Sequence, residues 1–133
     1  MGVPKGRVLV IDNDLFLSTR IISVLRHQGY SAERAANAEA ALQKVAVQSF
    51  DFAMVALESQ RADGFDIVRK LKVETVPKVI GYISHTKIPE IRDRARDAGI
   101  DRICANSAVT MRLPQILAAL GRGESLLIDD SEE

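Results

Sequence analysis

Five times along the chain a short apolar run stops at a polar cluster, and a stretch with apolar residues three and four apart follows. The first run, residues 7–11, contains Val8-Leu9-Val10-Ile11 without a polar break. Unbroken hydrophobicity means burial on both faces, which is the mark of a central parallel strand. It ends at Asp12-Asn13-Asp14, and Asp14 suits the N-cap of a helix carrying Leu17, Ile21, Val24 and Leu25 on one side. Gly29 closes that helix as a C′ residue. Residues 30–35 form a more polar strand, as expected nearer a sheet edge, and Asn37 caps a second helix reaching Val47. Residues 52–57 are the third strand, followed by Glu58 and a polar stretch to Asp63-Gly64.

A third helix begins at Phe65, with Ile67, Val68 and Leu71 inward, and Val76-Pro77 breaks it, because the residue before proline avoids the helical region. Residues 79–83 are the fourth strand, ending at Ser84-His85-Thr86. The fourth helix starts near Pro89, buries Ile91, Ala95 and Ala98, and stops at Gly99. Residues 102–105 are a short fifth strand leading to Asn106-Ser107. Thr110 is expected to cap one last helix, with Pro114 in its first turn and Leu113, Ile116, Leu117 and Leu120 along one face. The pattern predicts an α/β fold of five βα units: five parallel strands, right-handed crossovers, and helices on both faces of a doubly wound sheet. One domain over residues 1–121 is expected, with residues 122–133 as a loose acidic tail or a contact with a partner.

Composition narrows the classes. Lys plus Arg and Asp plus Glu both number 18 in 133 residues, so the basic surplus usual in nucleic-acid binders is absent overall. The single cysteine, Cys104, sits in an apolar segment; it reads as a small buried hydrophobe in a reducing compartment. No apolar stretch approaches the ~20 residues of a membrane span, and no signal peptide fits. A cytoplasmic domain is expected.

In such a sheet, chemistry belongs at the carboxyl ends of the strands. Those ends offer Asp12, Asn13 and Asp14, then Ala56 and Glu58, then Ser84 and His85, then Asn106 and Ser107. A phosphate or flavin site needs a loop of amides facing the anion, whereas the first loop here presents carboxylates and lacks a Gly-rich pattern. Neither is there a Gly-x-Ser-x-Gly elbow, and adjacent Ser84 and His85 point to opposite faces. Asp12, Asp14 and Glu58 could supply oxygens to a weak, water-rich Mg²⁺ site.

Taken in order, Val-Leu-Val-Ile-Asp-Asn-Asp at 8–14, Phe-Asp-Phe-Ala-Met-Val at 50–55, Asp63-Gly64-Phe65 and Ala98-Gly99-Ile100-Asp101 resemble the receiver domain of two-component response regulators over roughly residues 7–120. The resemblance implies a flavodoxin-like sheet in the order 2-1-3-4-5. It also implies an acidic pair holding Mg²⁺ after strand one and an aspartate ending strand three that accepts a phosphoryl group. A hydroxyl residue ends strand four, and a Lys ends strand five with a switch aromatic three positions earlier.

Carried across, Asp12 keeps the first acidic position, Asn13 occupies the second, and Ala56 stands at the acceptor position. Ser84 takes the hydroxyl position, Asn106 replaces the Lys, and Ile103 replaces the switch aromatic. Without a carboxylate at Ala56 there is no nucleophile for an acyl phosphate, and Asn106 supplies no cation.

The expectation is therefore a bacterial pseudo-receiver acting as a phosphorylation-independent interaction module, with no enzymatic activity, cofactor, bound metal, nucleic acid or membrane. By the same resemblance its protein partners, or a second copy in a homodimer, meet the fourth helix, fifth strand and fifth helix, where Arg92, Arg96, Arg102 and Arg112 are candidate contacts. The alternatives are a phosphorelay receiver accepting at Glu58 and a small flavodoxin-like ligand-binding protein.

Overall fold

The computed structural model describes residues 5–58, 64–74, 76–121 and 127–129. Its sheet is built from β1 (Arg7–Ile11), β2 (Ser31–Ala35), β3 (Phe52–Ala56), β4 (Lys78–Ile83), β5 (Arg102–Ala105) and β6 (Leu127–Asp129), all parallel, in the order β2-β1-β3-β4-β5-β6. The first five strands take the expected order, with β1, β3, β4 and β5 interior. Val8, Leu9, Val10 and Ile11 are fully buried, as unbroken apolar runs require.

Helices α1 (Leu15–His27), α2 (Ala38–Val47), α3 (Gly64–Val73), α4 (Ile88–Ala98), α5 (Asn106–Met111) and α6 (Leu113–Gly121) cover the sheet. α1 packs against α5, while α3 packs against both α2 and α4. Local chemistry sets their ends. The Asp14 carboxylate accepts from Leu17 N at 3.1 Å, and the Asn37 side chain accepts from Ala40 N at 2.8 Å. Gly29 and Gly99 follow α1 and α4 at φ 96° and 93°, where a side chain would be strained. Two aspartates pin strand entries: Asp51 accepts from Arg7 N at 2.8 Å, and Asp101 accepts from Val79 N at 2.8 Å and Lys72 Nζ at 2.7 Å.

The C-terminal third departs from expectation in two ways. The last helix is two helices, broken at Arg112. α5 begins directly after β5, and Thr110 lies inside it, donating its hydroxyl to Ser107 O at 3.1 Å instead of capping. Hydroxyl bonding to a preceding carbonyl is the usual mid-helix alternative to capping. Moreover, part of the expected loose tail is structured: Leu127–Asp129 pairs with Arg102–Cys104 and covers the outer edge of β5. Among the described residues, no helix is long and apolar enough to cross a membrane.

α3 is held tightly under the end of β3. A Cβ on Gly64 would lie 3.0 Å from Leu57 Cα and 3.1 Å from its carbonyl oxygen, both backbone atoms that cannot rotate away. Gly64→Val should therefore destabilise by roughly 1–3 kcal/mol. Urea unfolding measures this, and an unchanged midpoint would contradict the close approach.

Candidate functional site at the carboxyl end of the sheet

Strand geometry brings the ends of β1, β3, β4 and β5 to one rim. There a depression of about 210 Å³ is lined by Asp12, Asp14, Leu17, Ala56, Glu58, Tyr82 and Asn106. Asp12 is fully buried, although a carboxylate in that environment needs compensating donors. Its Oδ1 accepts from Asp14 N at 2.8 Å, and its Oδ2 accepts from the Tyr82 hydroxyl at 2.8 Å. A hydrogen bond to a charged group contributes about 1.5–3 kcal/mol.

Tyr82 stands directly opposite Ala56 in the β3–β4 register. The methyl group of Ala56 leaves room on that rim, and the phenol reaches past it to Asp12. Burial, and after it the Asp12 carboxylate, pushes the Tyr82 hydroxyl well above its ordinary pKa, so it remains a protonated donor.

Glu58 closes the outer side. Its Oε1 accepts from Ser84 N at 2.9 Å, and its Oε2 pairs with Lys87 Nζ at 2.8 Å. Lys87 is in a 3-10 turn (His85–Lys87) that leads into α4. The Lys87 bond first, then the Ser84 amide, hold the Glu58 carboxyl below its usual range, and Asn106 adds a smaller contribution through its side chain. The same pairing raises the Lys87 pKa. Glu58 thus ties the end of β3 to the turn after β4.

Of the residues singled out in the sequence, the rim brings together Asp12, Ala56, Glu58 and Asn106. Asn13 is exposed and outside the depression. Ser84 requires a correction. It follows the end of β4, and its hydroxyl faces Thr86 Oγ1 at 3.1 Å; the hydroxyl facing the depression is that of Tyr82. The signal for Tyr82 was present in the sequence: a tyrosine in an otherwise aliphatic buried strand must find a partner for its hydroxyl. Ile103 is fully buried between the strands, beside Gly81 in register. Asp63 lies outside the described residues.

The surface arginines also divide. Arg92 and Arg96 are exposed on α4, with Arg96 bonded to Asp93 at 3.2 Å, and Arg112 is half-buried. Arg102 is only 8% exposed, so it is not a free surface contact. The reason is position: β5 is flanked by β4 on one side and β6 on the other.

A parallel doubly wound sheet in this strand order, with an acidic residue at the end of β1, is the flavodoxin-like architecture that the resemblance to receiver domains implies. Residues 8–116 match the response regulator receiver domain family, and the chain belongs to it. A gliding motility regulatory protein of Myxococcus xanthus is 30% identical over 99 residues, 71% of this chain. The match spans only 12% of that protein's length.

Among solved structures, a two-component response regulator from Clostridium difficile superposes with a TM-score of 0.78 at 20% identity, covering 91% of this chain and 100% of the other. The chemotaxis response regulator CheY4 of Vibrio cholerae gives 0.71 at 18% identity, covering 83% and 97%. These structural likenesses establish the fold.

Removing the Tyr82 hydroxyl leaves the buried Asp12 Oδ2 without that donor. Tyr82→Phe should cost about 1–3 kcal/mol in urea unfolding, and a neutral result would mean that Asp12 does not depend on it.

Glu58 gives a pH signature. Its folded pKa is depressed, so its contribution is fully present above the ordinary value of 4.5 and is lost as the pH falls through the folded value. Glu58→Gln should therefore melt below the wild type at pH 7, with the gap narrowing steadily in acid. A gap independent of pH would show that the carboxylate charge is not involved.

Proposed function

We propose that this receiver domain is a pseudo-receiver: a phosphorylation-independent protein–protein interaction module of two-component-type signalling, without enzymatic activity. The observation that carries this is the pairing of Ala56 with Tyr82 at the rim, where the family resemblance expects a carboxylate. Ala56 offers no nucleophile at the end of β3, and the phenol engages Asp12, the carboxylate that keeps the first acidic position of the family resemblance. Asn13 and Asn106 are neutral where the resemblance expects an acid and a cation. A Mg²⁺ at this rim would be weak, because that ion needs several hard oxygen ligands in octahedral array while Asp12 is bonded to Tyr82 and Glu58 to Ser84 and Lys87.

Glu58 is a poor substitute acceptor. Both its oxygens are engaged by Lys87 and Ser84, and its lowered pKa marks a stabilised, less nucleophilic carboxylate. In this reading Glu58 fixes the β4–α4 turn in one arrangement, so the domain presents a constant surface to its partner.

Incubation with Mg²⁺ and acetyl phosphate or beryllofluoride, read by intact mass and amide NMR shifts, tests the proposal. No mass addition and no shifts clustered at Asp12, Glu58 or Tyr82 are expected. A stable adduct would refute the reading. Ala56→Asp alone should also fail to label efficiently, because Asn13, Asn106 and the Tyr82–Asp12 bond remain; robust labelling of that variant would refute the account of the rim.

A further inference from the structure

On the side of α1 that faces β2 lies an open groove of about 400 Å³. It is lined by Thr19, Ile22, Ser23, Arg26 and Arg34. Its two guanidinium groups are held in place by neutral acceptors. Arg26 Nη2 donates to Ala32 O at 3.0 Å, and Arg34 Nε donates to Ser18 Oγ at 3.0 Å. Ser18 is itself fully buried and anchored to Asp14 O at 2.8 Å.

Each arginine has five donors and uses one of them here. Neither meets a carboxylate among the described residues, and no acidic residue lines the groove. Two pre-positioned, uncompensated guanidiniums beside two hydroxyls suit a carboxylate-bearing segment, since the fork geometry of Arg matches carboxylates.

The chain carries such a segment. Residues 122–133 hold five of the 18 acidic residues and one of the 18 basic ones, so the first 121 residues carry four more basic than acidic side chains. The acids concentrate at the end, where Asp130-Ser131-Glu132-Glu133 follow β6 directly.

β6 and β2 are opposite edges of the sheet. Five strand spacings of ~4.8 Å separate them by about 24 Å. Four extended residues span at most about 14 Å, and α5 and α1 lie in the way. The acidic run therefore does not reach the groove of its own chain.

We propose that the α1–β2 groove binds the acidic run at residues 130–133 of a second copy of this chain. The contact is heterologous, joining one edge of a molecule to the other edge of the next, so it builds open chains or rings.

Sedimentation velocity across concentration tests this on the full chain. At low salt the weight-average mass should rise with concentration, and it should fall to the monomer at about 0.5 M NaCl, where exposed charges are screened. Asp130→Asn/Glu132→Gln/Glu133→Gln neutralises the run outside the core. Arg26→Gln/Arg34→Gln neutralises the groove. Each variant alone should associate about tenfold or more weakly.

Mixed, the two should form a 1:1 dimer that grows no further, because one retains only the groove and the other only the acidic run. Circular dichroism checks folding; should the double arginine variant not fold, Arg26→Gln alone still weakens association several-fold. A wild type that remains monomeric at low salt overturns the proposal. So does association unaffected by either set of changes, or a mixture that does not form the 1:1 dimer.

Discussion

The rim is organised by one constraint: a fully buried aspartate must have its oxygens satisfied. Asp12 sits where β1 leaves the core, and burying an ionised carboxylate without donors is prohibitive. The backbone of Asp14 satisfies one oxygen and the Tyr82 phenol the other. That second bond needs space across the sheet, and Ala56, directly opposite Tyr82, leaves it open. A side chain with its own charge at position 56 would compete for the space and place a second anion beside Asp12, which costs energy in a poorly solvated site. Small residue, large phenol and buried carboxylate therefore form a mutually dependent set.

Around that set, Glu58 couples the end of one strand to the turn after the next. Its bonds to Ser84 N and Lys87 Nζ determine how the chain enters α4. Because Lys87 is largely exposed, the pair is worth less as stabilisation than as geometry. On α4, Arg94 lies 4.3 Å over the ring of Phe65 from α3, so the two helices are linked as well as packed. The exposed arginines of α4 are then displayed on a helix anchored at its start and along its side.

The two edges of the sheet differ in kind. At β5 the chain adds its own sixth strand, which occupies backbone donors and acceptors that an incoming strand would otherwise find. At β2 the polar strand side chains pair across to α2, as in Lys44–Glu33 at 3.0 Å, or turn toward α1, as Arg34 does. A partner of this domain meets different physics on each side: a β5 edge already occupied by the three-residue β6, and fixed guanidiniums at β2.

The strand order was legible only through the resemblance to receiver domains. Hydrophobic continuity in residues 8–11 and 53–56, the alternation of these runs with helical periodicities, and the caps at Asp14 and Asn37 made the strands and most helices legible in the sequence. These are local signals, readable without knowing what packs against them. The absence of a carboxylate at Ala56 was equally plain. What the sequence left open depended on pairing between distant segments. Tyr82 owes its role to register: position 82 falls opposite 56, so its hydroxyl, and not that of Ser84, reaches Asp12. The burial of Arg102 and the strand at 127–129 depend on each other, since a three-residue apolar run has no fold of its own until β5 offers an edge. The chain determined its elements and the methyl group at position 56 because both are written one residue at a time. The tertiary structure decided which hydroxyl and which arginines count, because contacts across many intervening residues exist only once the sheet has formed.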